Sequence, residues 1–123
     1  MKLLLDTHVL LWWLANDPNL SVEHRAAIVD TSNDVYVSSI SIAEISIKAS
    51  LGKLSAPDRV SEAVQQSGLS LLPFRAEHAE ELRALPWIHR DPFDRMLIAQ
   101  ARIERLVLLT ADERIRQYEV ATG

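Results

Sequence analysis

The chain predicts a three-layer α/β/α sandwich built on a mostly parallel, doubly wound sheet, and three observations carry that prediction. Short, almost wholly apolar runs alternate with helical stretches along the sequence. Such runs read as strands buried on both faces, and strands that alternate with helices form a parallel sheet. The chain has 123 residues, 48% apolar and 24% charged, with no internal repeat or linker, so it reads as one domain spanning 1–123. Finally, residues 88–105, IHRDPFDRMLIAQARIER, write out the start of a helix that such a sheet would need as a cover.

The elements follow in order. Residues 2–6 (KLLLD) read as a buried strand, and residues 8–16 as a short apolar helix ended by Asn16-Asp17-Pro18. Ser21 caps a helix over 21–31, and His24 reads as a surface residue of it. After the turn Asn33-Asp34, residues 35–39 (VYVSS) are β-branched and aromatic enough for a second strand. Ser41 is the expected cap of a helix to Leu51, with Gly52 as its stop; Glu44 falls three residues past that cap, on a stripe continued by Ile47 and Leu51. A helix over 57–66 stops near Gly68, and a short strand over 69–73 follows. Residues 76–85 are helical, with His78 expected at the surface, and 86–90 form a loop. In the next helix Asp91 is the N-cap, Pro92 tolerates the missing N–H of the first position, and Asp94 lies three past the cap. From Asp94 the stripe runs to Ile98 and Ala101, which leaves Arg95 and Arg102 on the wetter face. Residues 106–110 (LVLLT) are another apolar strand, 112–118 a helix, and 119–122 a frayed edge strand.

Bulk properties exclude several function classes. There is no Cys, so disulfides and thiolate metal sites are absent and any metal is held by oxygen or imidazole. No apolar run approaches the ~20 residues of a membrane span. The N-terminus has one Lys and then an acid inside its apolar run, a poor secretory signal, so a cytoplasmic location is the expectation. The net charge of −4 provides no overall basic field for nucleic acid.

Four carboxylates need a reason. Asp6 ends the first strand and Asp112 follows the 106–110 strand, so both belong at the carboxyl edge of the sheet. Glu44 opens a helix that leaves a strand there, and Asp94 opens a helix that runs antiparallel into one, so both helix starts lie at the same edge. Ligands gather beyond that edge in wound sheets. Ser41-x-x-Glu44 also matches a capping box, Asp91-x-x-Asp94 approximates one, and Asp112 can cap its own helix, so each acid alone has a structural reading. Together they form a cluster of like charges that raise one another's pKa unless a cation intervenes. Hard oxygen ligands favour Mg²⁺ or Mn²⁺ over Zn²⁺, and such a site suits metal-assisted phosphodiester hydrolysis.

The segments LLLDTHVLLWWL, SSISIAEISIKASLGKL, HRDPFDRMLIAQA and LLTAD resemble, in order and spacing, the PIN domain, and more closely the VapC-type toxin ribonucleases of bacterial toxin–antitoxin pairs. That resemblance implies that Asp6, Glu44, Asp94 and Asp112 hold Mg²⁺ or Mn²⁺, with Asp91 as cap and outer-shell group. It also implies cleavage of single-stranded RNA by an activated water, a homodimer, and inhibition by a small VapB-type antitoxin.

Other residues have two readings each. Lys48, His89, Arg90 and Arg95 suit phosphate binding near the rim, yet Lys48 also suits an i,i+4 pair with Glu44 and Arg95 a solvated surface. Thr7, His8 and Thr110 can order the acids, a water or RNA, or serve only local hydrogen bonds. Trp12 and Trp13 read as core or dimer contacts, and Trp87 as a loop residue open to RNA or a partner. Two alternative functions remain: a metal-free ribonuclease with His8 and His89 as acid and base, and a catalytically silent PIN-like module that binds RNA or protein.

Overall fold

The structure is a computed structural model that describes residues 1–123. Four parallel strands form the sheet: β1 (Lys2–Leu5), β2 (Asp34–Ser38), β3 (Ser70–Leu72) and β4 (Val107–Leu109), in the order β3-β2-β1-β4. The chain thus runs outward from β1 to β2 and β3 on one side and then returns to place β4 on the other. This is the reversal expected of a doubly wound sheet, and it sets β1 and β4 side by side with Leu5 opposite Leu109. The residue after each strand, Asp6 and Thr110, therefore meets the other across the switch point.

Eight helical stretches accompany this sheet, six of them regular α-helices that cover both faces and two of them short 3₁₀ turns at 82–84 and 115–117 that lengthen the loops. The α-helices are α1 (Thr7–Leu14), α2 (Val22–Val29), α3 (Ser39–Ser50), α4 (Val60–Gln66), α5 (Ala76–Glu81) and α6 (Pro92–Glu104). Two cores result, one per face of the sheet. Leu3 and Leu5 of β1 point into the first with Val9, Leu10, Val37, Ile45 and Val64, while Leu4 points into the second with Leu97, Ile98, Leu108 and Ile115. That alternation along β1 is the period of a strand buried on both sides. No helix is long and apolar enough to cross a membrane.

Element boundaries differ from the sequence reading where capping chemistry is ambiguous. Ser41 does not cap α3; Ser38 does, its hydroxyl accepting from Ile40 N at 3.0 Å. Glu44 is consequently not at the helix start but a turn and a half inside it, and the capping-box reading of Ser41 and Glu44 fails. Its stripe is also displaced: Ser41, Glu44 and Ile45 are buried, whereas Ile47 and Leu51 lie in solvent. Gly52, at φ +71°, ends α3 as expected. The 57–66 helix begins only at Val60, and the 112–118 helix shrinks to a single 3₁₀ turn. The C-terminal edge does form, as an isolated parallel bridge from Leu108 to Thr122.

His24 and His78 are buried rather than on the surface. His24 Nε2 lies 2.9 Å from the carbonyl oxygen of Gly123. His78 accepts from Arg75 N through Nδ1 at 2.9 Å and bonds Glu104 through Nε2 at 2.9 Å, tying the start of α5 to the end of α6.

Candidate metal centre

The candidate site draws on the starts of α1 and α6, the second turn of α3 and the turn after β4. Asp6 follows β1 without a loop and serves as the N-cap of α1, its Oδ1 accepting from His8 N at 3.3 Å. Its other oxygen, Oδ2, accepts from the Thr110 hydroxyl at 2.7 Å. The same Thr110 oxygen accepts from Asp112 N at 3.0 Å, so one hydroxyl beyond β4 sets both acids. Asp91 caps α6 as the sequence predicts, accepting from Phe93 N at 2.8 Å and Asp94 N at 3.1 Å. This leaves the Asp94 side chain free to face the rim, where it meets His89, Nε2 to Oδ2 at 2.7 Å. The same imidazole nitrogen is 3.9 Å from Asp112 Oδ2. Donor atoms of His89, Asp94 and Asp112 all lie within 4.8 Å of one another.

Glu44 lies on α3, outside the close group of His89, Asp94 and Asp112. Ser41, one turn before it, bonds the Thr7 hydroxyl at 2.9 Å and so ties α3 to the start of α1. Glu44 Oε2 takes the Lys48 ammonium at 2.6 Å, so the i,i+4 pair is the arrangement Lys48 adopts. That hydrogen bond, with the further charges of Asp91 and Asp94, raises the Lys48 pKa. Glu44 Oε1 is buried and has no partner. A buried carboxylate oxygen without a donor is costly and asks for a cation or an ordered water.

Electrostatics point the same way. Burial, and then the charge of Asp6, push the Asp94 carboxyl up to about 6. Burial likewise raises Asp6, against the Thr110 hydrogen bond that lowers it. Asp112 is lowered, chiefly by its hydrogen bonds from Arg114, and stays the readily ionised member. Two raised carboxylates, one orphaned carboxylate oxygen and a predominantly oxygen donor set fit a hard divalent cation. A cleft lined by Asp6, His8, Trp12, Ala111, Asp112 and Glu113 opens beside them. Trp12 and Trp13 pack against the first core, and Trp12 in addition walls this cleft.

A second group with metal-like spacing, Glu77, His78 and Glu104, lies at the opposite end of α6. Both ring nitrogens of His78 are already committed there, so the group is a structural tie.

Arg95 contradicts the expected wetter face of α6. It is 4% exposed and points inward. Its guanidinium donates to the carbonyl oxygens of Pro86 at 2.8 Å and Leu85 at 3.3 Å and to the Tyr118 hydroxyl at 3.1 Å. Tyr118 also accepts from His89 N at 2.8 Å. Arg90 remains exposed at the surface beside Trp87. The sequence marks His89 only as a phosphate or proton-transfer candidate and does not mark Tyr118 at all. For His89 a signal existed in its position five residues before Asp94; for Tyr118 there was none, since its contacts span loops far apart in sequence.

Comparison with known proteins agrees with this architecture. The PIN domain family model matches residues 3–121. Among solved structures, VapBC2 from Rickettsia felis, bound to a DNA fragment from its promoter, matches with TM-score 0.74 and 17% identity, covering 100% of this chain and 98% of that one. DNA-bound VapBC from Salmonella typhimurium matches with TM-score 0.72 and 21% identity over 100% and 97%. FitAcB from Neisseria gonorrhoeae matches with TM-score 0.63 and 22% identity over 98% and 95%. No curated protein matches the chain in sequence.

Proposed function

The chain belongs to the PIN domain family, and from that premise we propose that it is a metal-dependent endoribonuclease acting as the toxin of a VapBC-type pair. The observation that carries the reading is the gathering of Asp94, Asp112 and His89 at one rim, to which Thr110 joins Asp6, together with a buried Glu44 oxygen that has no partner. Asp6, Glu44, Asp94 and Asp112 would hold Mg²⁺ or Mn²⁺, which supplies charge neutralisation and an activated water for hydrolysis.

The chain's own groups divide the remaining work. Thr110 orients Asp6 and, through Asp112 N, the turn that carries Asp112. His89 holds one Asp94 oxygen, Oδ2, and so fixes the carboxylate's orientation. Lys48 balances Glu44 and stands ready for a substrate phosphate. Hydrolysis adds water across a P–O bond, so the RNA 2′-hydroxyl takes no part. The partners in this reading are single-stranded RNA, a VapB-type antitoxin that covers the acids, and a second copy in a homodimer, all in the cytoplasm. The structural matches to VapBC complexes support the antitoxin pairing.

The test is cleavage of single-stranded RNA with and without a chelator. Loss on chelation, restored by Mg²⁺ or Mn²⁺, is expected, and an RNA methylated at its 2′-oxygens should still be cut. Activity that survives chelation and fails on 2′-methylated RNA would replace this reading with metal-free acid–base chemistry on His8 and His89. Expression in a bacterial host should arrest growth, and Asp94→Asn should relieve the arrest.

A further inference from the structure

We propose that Trp87 is a stacking platform for one base of a single-stranded RNA, with Arg83 and Arg90 gripping the adjoining phosphates. The proposal rests on the ribonuclease reading and deepens it by giving that substrate a fixed seat.

Trp87 is 76% exposed, on the loop between α5 and α6. An indole this exposed presents its ring to solvent, where a flat ligand can reach it. This one is also held still: the Arg95 guanidinium lies 3.8 Å from the indole ring centroid. Arg95 is buried and pinned by loop carbonyls and Tyr118, so the ring stacks on a fixed support while most of its surface stays in solvent. The cleft beside it, of about 320 Å³, is lined by Leu82, Arg83, Trp87, Arg90, Pro92, Arg95 and Met96, with three guanidinium groups and no acid. On a chain of net charge −4 that is a local concentration of positive charge.

An exposed indole next to unpaired arginines is the chemistry of single-strand recognition, in which bases stack on aromatic faces and the backbone follows cations. The loop is coupled to the acid rim twice. Trp87 sits on Arg95, the residue after Asp94, and His89, two residues beyond Trp87, bonds Asp94 itself. A base on Trp87 is therefore held in constant register with the acids. An acidic protein segment would also find the arginines, but it has no equal use for the flat ring.

The experiment measures binding of a short fluorescein-labelled single-stranded RNA of mixed sequence, by anisotropy in Mg²⁺, to Asp94→Asn protein with and without a second substitution. Trp87→Ala should weaken binding about tenfold and Trp87→Phe should recover most of the loss. Arg90→Ala should weaken binding and make it less salt-dependent. In the active protein, Trp87→Ala should raise KM for this RNA and leave duplex RNA no better bound. Equal RNA affinity with and without Trp87 overturns the platform and leaves the ribonuclease reading standing. No RNA binding by the parent, with no cleavage by the active protein, overturns the ribonuclease reading and the platform with it. A polyglutamate peptide that binds as tightly as RNA and loses as much on Trp87→Ala would make the cleft an acidic-protein surface and overturn the proposal.

Discussion

Asp94 is the residue where burial and charge conflict most. It is 8% exposed, its carboxyl is pushed up to about 6, and its one close partner is an imidazole. Asn at this position can still accept from His89 through its amide oxygen, and it removes a charge that Asp6 repels. Asp94→Asn should therefore lower RNA cleavage about a hundredfold or more while the melting temperature in chelator does not fall. Wild-type cleavage by this variant would remove Asp94 from the site. Thr110 tests a different link. Its hydroxyl is shared by Asp6 Oδ2 and Asp112 N, so Thr110→Val, nearly equal in volume, loses both bonds without opening a cavity. Groups that orient ligands typically matter about tenfold or more for metal affinity, so Mn²⁺ titration by calorimetry should show a loss of about that size. An unchanged Mn²⁺ affinity would mean that the acids hold their positions without the hydroxyl.

At the scale of elements, α6 does two jobs with adjacent residues: Asp94 faces the rim and Arg95 ties down the 82–89 loop. Arg95→Met keeps much of the stem but leaves the carbonyls of Pro86 and Leu85 and the Tyr118 hydroxyl without their donor. The cost should be about 3 kcal/mol, seen as a urea midpoint shift, and an unmoved midpoint would mean that water replaces the guanidinium there. How α6 and α3 compare shows what the sequence carries. The start of α6 was readable because Asp91 and Pro92 leave one way to begin a helix. The start of α3 was not, because Ser38, Ser39 and Ser41 are all competent caps. Tertiary structure makes the choice: β2 continues in register with β3 through Ser38, opposite Leu72, and Thr7 claims the Ser41 hydroxyl. The apolar strands were legible for a similar reason, since runs such as LLL and VLL suit only a doubly covered sheet, but their order around β1 was not, because an apolar run marks burial and not its neighbours. The inward turn of Arg95 was not, because its partners are loop carbonyls and a tyrosine hydroxyl, which leave no periodic mark. Of the site, the positions of Asp6 and Asp112 after their strands could be read directly, but the placing of His89 on Asp94 needed the path of the loop.

For the whole molecule, the proposed metal reading predicts that the acid rim makes stability depend jointly on pH and on divalent ions. Asp94 and Asp6 both have pKa values raised above the ordinary carboxylate value of 3.8, with Asp94 at about 6. A raised carboxylate binds its proton more tightly in the folded state than in the unfolded state. Its favourable contribution is therefore complete below the unfolded value and is lost as pH rises through the folded one. Without divalent ions the fold should weaken between about pH 4 and pH 7 on this account. Asp112 works in the opposite sense, since its pKa is lowered, but it is partly exposed and bonded to an exposed arginine, so its share is small. A divalent cation that binds the ionised acids binds only the folded chain and recovers what deprotonation loses. The gap in melting temperature between Mn²⁺ and chelator should thus be small near pH 5 and widen toward pH 7, with proton release on Mn²⁺ binding greatest near the Asp94 value. Scanning fluorimetry in both conditions across that range reads the gap, and calorimetry in buffers of different ionisation enthalpy reads the protons. A gap of constant size across the range would mean that the ion does not engage the raised carboxylates, and the rim would then lose its role as a metal centre.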